Sequence, residues 1–195
     1  MILTIKKIRE IIYMNKDIQI IVKTTLKVLE KKSWSSLDLD EIKKKSKIKQ
    51  FDKKIKNKKN LLKNISLYFD FCLSKDIKSI EKSSPRDMIF ETIMLRFDIL
   101  QTHRKGIESL FNSLKKTPHE LVLLLPNLLD SMLLMLKYTK TSNSGIAKTL
   151  KVKGVLVIYI LTFMVWLKDE SDSLDKTMQA LDDYLGKVDQ ILNFI

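Results

Sequence analysis

Apolar residues recur along most of this chain at helical spacings of three and four, so the pattern predicts helices and no convincing strand. Ile18, Ile21, Val22, Leu26 and Leu29 share one face of a first helix, from 17 to about 32, with Asp17 as its N-cap. Trp34 is expected to pack under the turn that follows. Asp38 and Glu41 stand at capping-box spacing, which starts a short helix near Leu39 and carries Ile42 inward. A longer helix, from 60 to about 74, turns Leu61, Ile65, Tyr68 and Phe69 inward. Ser84 and Pro85 suit a cap and a first helical turn. The helix behind them buries Met88, Ile89, Ile93, Leu95, Phe97 and Leu100. Further helices run near 106 to 114 and from 117 to about 138, and Pro126 is expected to kink the second. The stretch from 142 to 145 reads as a loop.

The last fifty residues hold two more helices joined by an acidic turn. The first, from 154 to 167, has no charged residue and is apolar all round, so it is expected to be buried on every side. Its 14 uncharged residues fall short of the ~20 that cross a bilayer, which favours a core helix. The second carries Leu174, Met178, Leu181, Leu185, Val188 and Leu192 at gaps of 4, 3, 4, 3 and 4, a single helical seam. Asp172, Asp175, Asp182 and Asp183 stay off it. The seam is the candidate dimer interface. The expected fold is therefore all-α, with about nine helices.

Composition changes this picture only in part. With 195 residues, 45% of them hydrophobic, the chain can bury a sizeable core in one domain or in one domain with a small module. Four Gly and 3 Pro leave little strand punctuation. The net charge of +13 implies an anionic partner, nucleic acid or an acidic membrane surface; an AT-rich genome would raise the lysine count equally well. The lysines cluster between 41 and 63, where apolar residues are sparse. Cys72 is the single cysteine, which suits a reducing cytoplasm, and among Phe69, Phe71 and Leu73 it reads as a small buried hydrophobe. Residues 1–14 carry Lys6, Lys7, Arg9 and Glu10 and do not read as a signal peptide. They read as a short amphipathic helix or as an extension ahead of Met14.

Candidate chemistry is sparse. The chain has no glycine-rich phosphate loop, and His103 and His119 have no second ligand at metal spacing, so both read as surface histidines. No nucleophile stands beside a base. The expectation is a protein that is not an enzyme and has neither cofactor nor metal. What remains is a basic short-helix head and a large apolar helical body, a plan for DNA binding governed by a pocket or a dimer interface.

On these residues the chain resembles the TetR family of bacterial one-component repressors. IVKTTLKVLEKKSWSSLDLDEIKKKSKI is similar to the family's first helix and its entry to the helix-turn-helix. IKNKKNLLKNISLYFD is similar to the start of its long fourth helix, with Lys58 on the family's phosphate-contacting lysine and Leu61 and Leu62 on its leucines. RFDILQTHRKGI, SLFNSLKKTP, LLDSMLLML and the tail from 151 resemble a subgroup of these regulators. The segment KIKQFDKKI is shorter than the family's recognition helix, and Asp52 falls where the family has a tyrosine that grips phosphate.

The resemblance implies an N-terminal extension (1–16), a helix-turn-helix domain (17–64) and a helical regulatory and dimerisation domain (65–195). It implies a homodimer on double-stranded DNA, with the last two helices pairing across a two-fold axis. Lys47, Lys49, Gln50, Lys53, Lys54 and Lys58 would contact DNA, mostly through phosphates, and Gln50 would read an adenine edge. Phe97, Phe111, Met132, Met135, Tyr159 and Phe163 would line a cavity for a small hydrophobic ligand or lipid; plain core packing explains the same residues. The tail is also similar to that of ubiquinone-biosynthesis accessory proteins. Their body is TetR-like, and they bind lipid or isoprenoid without catalysis.

Overall fold

The computed structural model describes residues 13–77, 80, 83–139 and 145–193. Among them the chain is all-helical: α1 Lys16–Leu29, α2 Leu39–Ser46, α3 Phe51–Lys54, α4 Lys58–Asp76, α5 Pro85–Gln101, α6 Arg104–Leu114, α7 Pro118–Tyr138, α8 Gly145–Trp166 and α9 Asp175–Asn193. That is nine helices and no strand among the described residues, as the periodicity predicts. Residues 1–12 and 140–144 lie outside the described residues, and with them most of the stretch expected to be an amphipathic N-terminal helix and most of the expected loop.

Local chemistry sets the helix boundaries, and in places it differs from expectation. The cap of α1 is Asn15, whose Oδ1 accepts from the Asp17 amide at 2.8 Å, so Asp17 is a first-turn carboxylate and not the cap. The helix ends at Leu29, short of Lys32. Asp38 caps α2 as expected, but Glu41 does not close a capping box. Its carboxylate takes Lys32 (2.7 Å) and Lys45 (2.8 Å) instead, and those bonds hold its pKa below the usual range. Ser84 Oγ accepts from the Asp87 amide (3.1 Å) and donates to the Asp87 carboxylate (2.7 Å), a closed cap at the start of α5.

The chain divides into two compact units: 1–75 with 99–128, and 76–98 with 129–195. The division falls inside α5 and α7, so the head shares its unit with α6 and the first half of α7. In this first unit Ile21, Val22, Leu26 and Leu29 of α1 are buried together with Ile42, Phe51, Ile55, Leu61 and Leu62. Each such side chain taken from water is worth about 1.5–3 kcal/mol. Gly106 lets α6 approach α1 closely: a Cβ there would stand 2.5 Å from the Leu26 carbonyl oxygen. Trp34 is buried as expected. Around it the Trp34 amide donates to Ser113 Oγ (3.0 Å), and Ser109 Oγ donates to the Lys32 carbonyl (2.8 Å), tying α6 to the turn after α1. His103 is not a bare surface histidine. It is half-buried, 3.4 Å from the Tyr68 hydroxyl and edge-on to Tyr68 and Phe69.

In the second unit α8 packs against α9. Asp169 makes the turn between them. It is fully buried, and its carboxylate accepts from the Thr177 amide (2.8 Å), Thr177 Oγ1 (2.7 Å), the Ser171 amide (3.1 Å) and Ser171 Oγ. Burial opposes the charge, but the bonds from Ser171 and Thr177 outweigh it and hold the pKa well below the usual carboxylate range. Leu174 sits in the left-handed region (φ 56°), unusual for a bulky side chain, and is buried. The expectation that the uncharged helix is buried on every side fails. Val152, Val155, Leu156, Tyr159, Thr162 and Trp166 face inward, but Leu150, Val157, Leu161 and Met164 are 68%, 56%, 44% and 40% exposed. By length and composition alone, Pro118–Tyr138 and Thr149–Trp166 could each cross a bilayer, a test that a core helix also passes.

Candidate nucleic-acid interface

The basic head is a helix, a turn and a helix. Lys43, Lys44 and Lys45 lie in the last turn of α2. Lys47 ends it in the left-handed conformation (φ 56°), and its amide donates back to the Lys43 carbonyl at 3.2 Å. The chain then turns through Ile48, Lys49 and Gln50 into α3, which is one turn long. Phe51 and Ile55 anchor α3 in the core, the first 1% and the second 2% exposed. This anchoring fixes what faces out: Lys47, Lys49, Gln50, Asp52 and Lys53 are all exposed.

Of the six residues expected to meet DNA, the structure brings four to one exposed stretch and ties down two. Lys47, Lys49, Gln50 and Lys53 have no side-chain partner among the described residues. Lys54 pairs with Asp17 at 3.2 Å, joining α3 to α1. Lys58 donates to the carbonyls of Trp34 (3.1 Å) and Ser35 (3.0 Å), so its ammonium caps the turn after α1. Asp52, the carboxylate that would repel phosphate, is bonded to Lys43, and that bond raises the Lys43 pKa.

The residues expected to line a ligand cavity divide between the units. Phe111 belongs to the first and is half-buried. Phe97, Met132, Met135, Tyr159 and Phe163 belong to the second. There Phe97 stacks on Tyr159 with centroids 5.4 Å apart, and Phe163 stacks on Trp166 at 5.4 Å. Phe97, Met132, Met135 and Tyr159 are buried, and Phe163 is half-buried. Sequence reasoning missed Arg96, which is buried beside them with Nε 3.4 Å from the Tyr159 hydroxyl. A charged residue between Leu95 and Phe97 carries no sequence signal for burial.

The seam expected to form the dimer interface is in part buried within the protomer. Leu174, Leu181 and Leu185 are buried in the second unit, Val188 is half-buried, and Met178 alone is exposed, at 42%. The Leu192 side chain lies outside the described residues. A second seam, which the sequence pattern hid, runs along the outside of α8. Leu150, Gly154, Val157, Leu161 and Met164 are all exposed, at gaps of 4, 3, 4 and 3.

Three or more His, Cys, Asp or Glu side chains do not gather at metal-binding distance among the described residues. No protein-family model, curated protein or solved structure matches the chain.

Proposed function

We propose that this chain is a TetR-like transcriptional regulator that binds double-stranded DNA as a homodimer. One observation carries the reading: the α2–turn–α3 unit, whose inner residues are core and whose outer stretch offers Lys47, Lys49, Gln50 and Lys53 without a side-chain partner among the described residues. Three cations and one amide on a helix-turn-helix suit a groove lined by phosphates, with Gln50 positioned by sequence for an adenine edge. Because α3 is one turn long, phosphate contacts supply most of the affinity and base contacts little of it. The outer seam of α8 supports the dimer, since an exposed apolar stripe at 4, 3, 4, 3 spacing suits a second copy.

The experiment is binding to the DNA flanking its own gene beside a shuffled control of equal length, over a salt series. A preference of ~10³-fold or more for the native DNA establishes a regulator. Equal, weak and salt-labile binding to both rejects sequence-specific regulation. A non-enzymatic lipid- or isoprenoid-binding accessory protein is the second reading. It is favoured by exposed apolar residues in each unit, Val122 and Leu125 on α7 in the first and Leu150 and Val157 on α8 in the second. Native mass spectrometry of the purified protein separates the two: a co-purifying lipid supports the second, and nucleic acid the first.

A further inference from the structure

A groove of about 420 Å³ lies between the start of α4 and the first half of α7, wholly within the first unit. This volume falls inside the ~300–1,000 Å³ usual for small-molecule sites. Lys56, Lys59 and Lys63 line it from the α4 side, with Asn57, Asn60 and Leu62; Leu123, Leu124 and Asn127 line it from α7. None of the residues in the proposed DNA face takes part.

Charge is the first observation. All three lysines are exposed and have no carboxylate partner among the described residues, whereas Lys32, Lys43, Lys45 and Lys54 of the same unit are paired. Lys59 and Lys63 stand four apart on one helix, a like-charge pair that an anion relieves. Asn60 is the second observation. Its side-chain oxygen is withdrawn from solvent with no hydrogen-bond partner. Asn60 is also part of the groove lining, so this wall carries a polar side chain whose hydrogen-bonding capacity is not filled among the described residues. The third is the opposite wall. Leu123 is 38% exposed and Leu124 is half-buried. Water-facing leucines across from unpaired ammonium groups fit a molecule with a charged end and an apolar length.

We propose that this groove binds a single-chain amphipathic anion, an alkyl or acyl chain ending in a carboxylate or phosphate. The head group sits among Lys56, Lys59 and Lys63, and the chain lies along Leu123 and Leu124.

The test is calorimetric titration of the full chain with dodecyl phosphate and dodecanoate below their micelle concentrations, beside inorganic phosphate and octyl glucoside. Both anions are expected to bind at one per chain, at least about tenfold more tightly than either head or neutral surfactant alone. Lys59→Glu with Lys63→Glu weakens them about tenfold or more, and Leu123→Asp weakens them while circular dichroism stays unchanged. Lys16→Glu with Lys27→Glu makes the same charge change elsewhere and leaves affinity intact. The proposal is overturned if the control pair loses as much as the groove pair, or if the groove variants keep full affinity. It is equally overturned if inorganic phosphate matches dodecyl phosphate. Binding to phosphatidylserine vesicles without binding to the monomeric amphiphiles also overturns it, and makes this face a membrane-docking surface. DNA binding enters none of these readouts, so the groove and the regulator reading fail separately.

Discussion

Gly106 and His103 show how single positions hold the head to α6. Gly106→Ala forces a methyl group to within 2.5 Å of a backbone oxygen, and backbone cannot swing aside as a long side chain does. The variant is expected to lose about 1–3 kcal/mol in denaturant melts, the usual cost of overpacking, although alanine is the better helix former. A loss below a few tenths would mean that α1 and α6 are not so close. His103 has its pKa lowered from 6.5, by burial first and then by Lys23, with Glu30 opposing. The folded state therefore binds its proton less readily than the unfolded chain. Stability from this residue is complete above the unfolded value and declines as pH falls below it. Melting temperature should drop between about pH 7.5 and pH 5, and His103→Gln should flatten that part of the profile. An unchanged slope in the variant would assign the pH dependence to other groups. Both residues are visible in the sequence, but neither role is. A glycine inside a helix and a histidine near a helix end look alike until a neighbouring backbone or ring is placed against them.

Two elements change meaning once the chain is folded. The 4, 3, 4, 3, 4 spacing that begins at Leu174 is legible, and Leu174, Leu181 and Leu185 on it are buried within the protomer while Met178 is exposed. The outward seam is on α8, where a fully apolar sequence conceals the division between inside and outside. Charging Val157 and Leu161 to Lys is expected to give folded monomers by analytical ultracentrifugation. Charging Leu181 and Leu185 is expected to unfold the second unit, because both are core. A V157K/L161K variant that sediments like the parent would remove α8 as the dimer face. The short α3 makes a similar point. Its apolar anchors Phe51 and Ile55 are readable, but the tethering of Lys54 and Lys58 is not. Their partners, Asp17 and the carbonyls of Trp34 and Ser35, lie twenty or more residues away.

For the whole molecule the question is how far a net charge of +13 counts as binding. Unpaired cations at a phosphate release counterions, whereas lysines already tied to carboxylates or carbonyls release few. Replacing Lys47, Lys49 and Lys53 with Gln should flatten the log–log salt dependence of DNA binding by about one for each lysine–phosphate pairing removed. The same replacement of Lys54 and Lys58 should act more on stability than on the slope. Equal slopes for the two variant sets would mean that the charge acts as a diffuse field and no face is built for DNA. The partition into two units has a parallel lesson. The head is completed by α6 and half of α7, so its stability depends on chain that lies far along the sequence.

The sequence determined the class and number of the elements, because helical periodicity, caps such as Asp38 and Ser84, and the scarcity of glycine and proline act over a few residues. It also determined that the basic residues cluster in the head. Tertiary structure decided which face of an all-apolar helix meets water, which lysines remain unpaired, and that Lys56, Lys59 and Lys63 share a groove with Leu123 and Leu124. Those outcomes depend on which segments pack together, adjacent in sequence for α8 and α9 and about sixty residues apart for Lys63 and Leu123, and a local pattern carries no record of which partner a side chain will find.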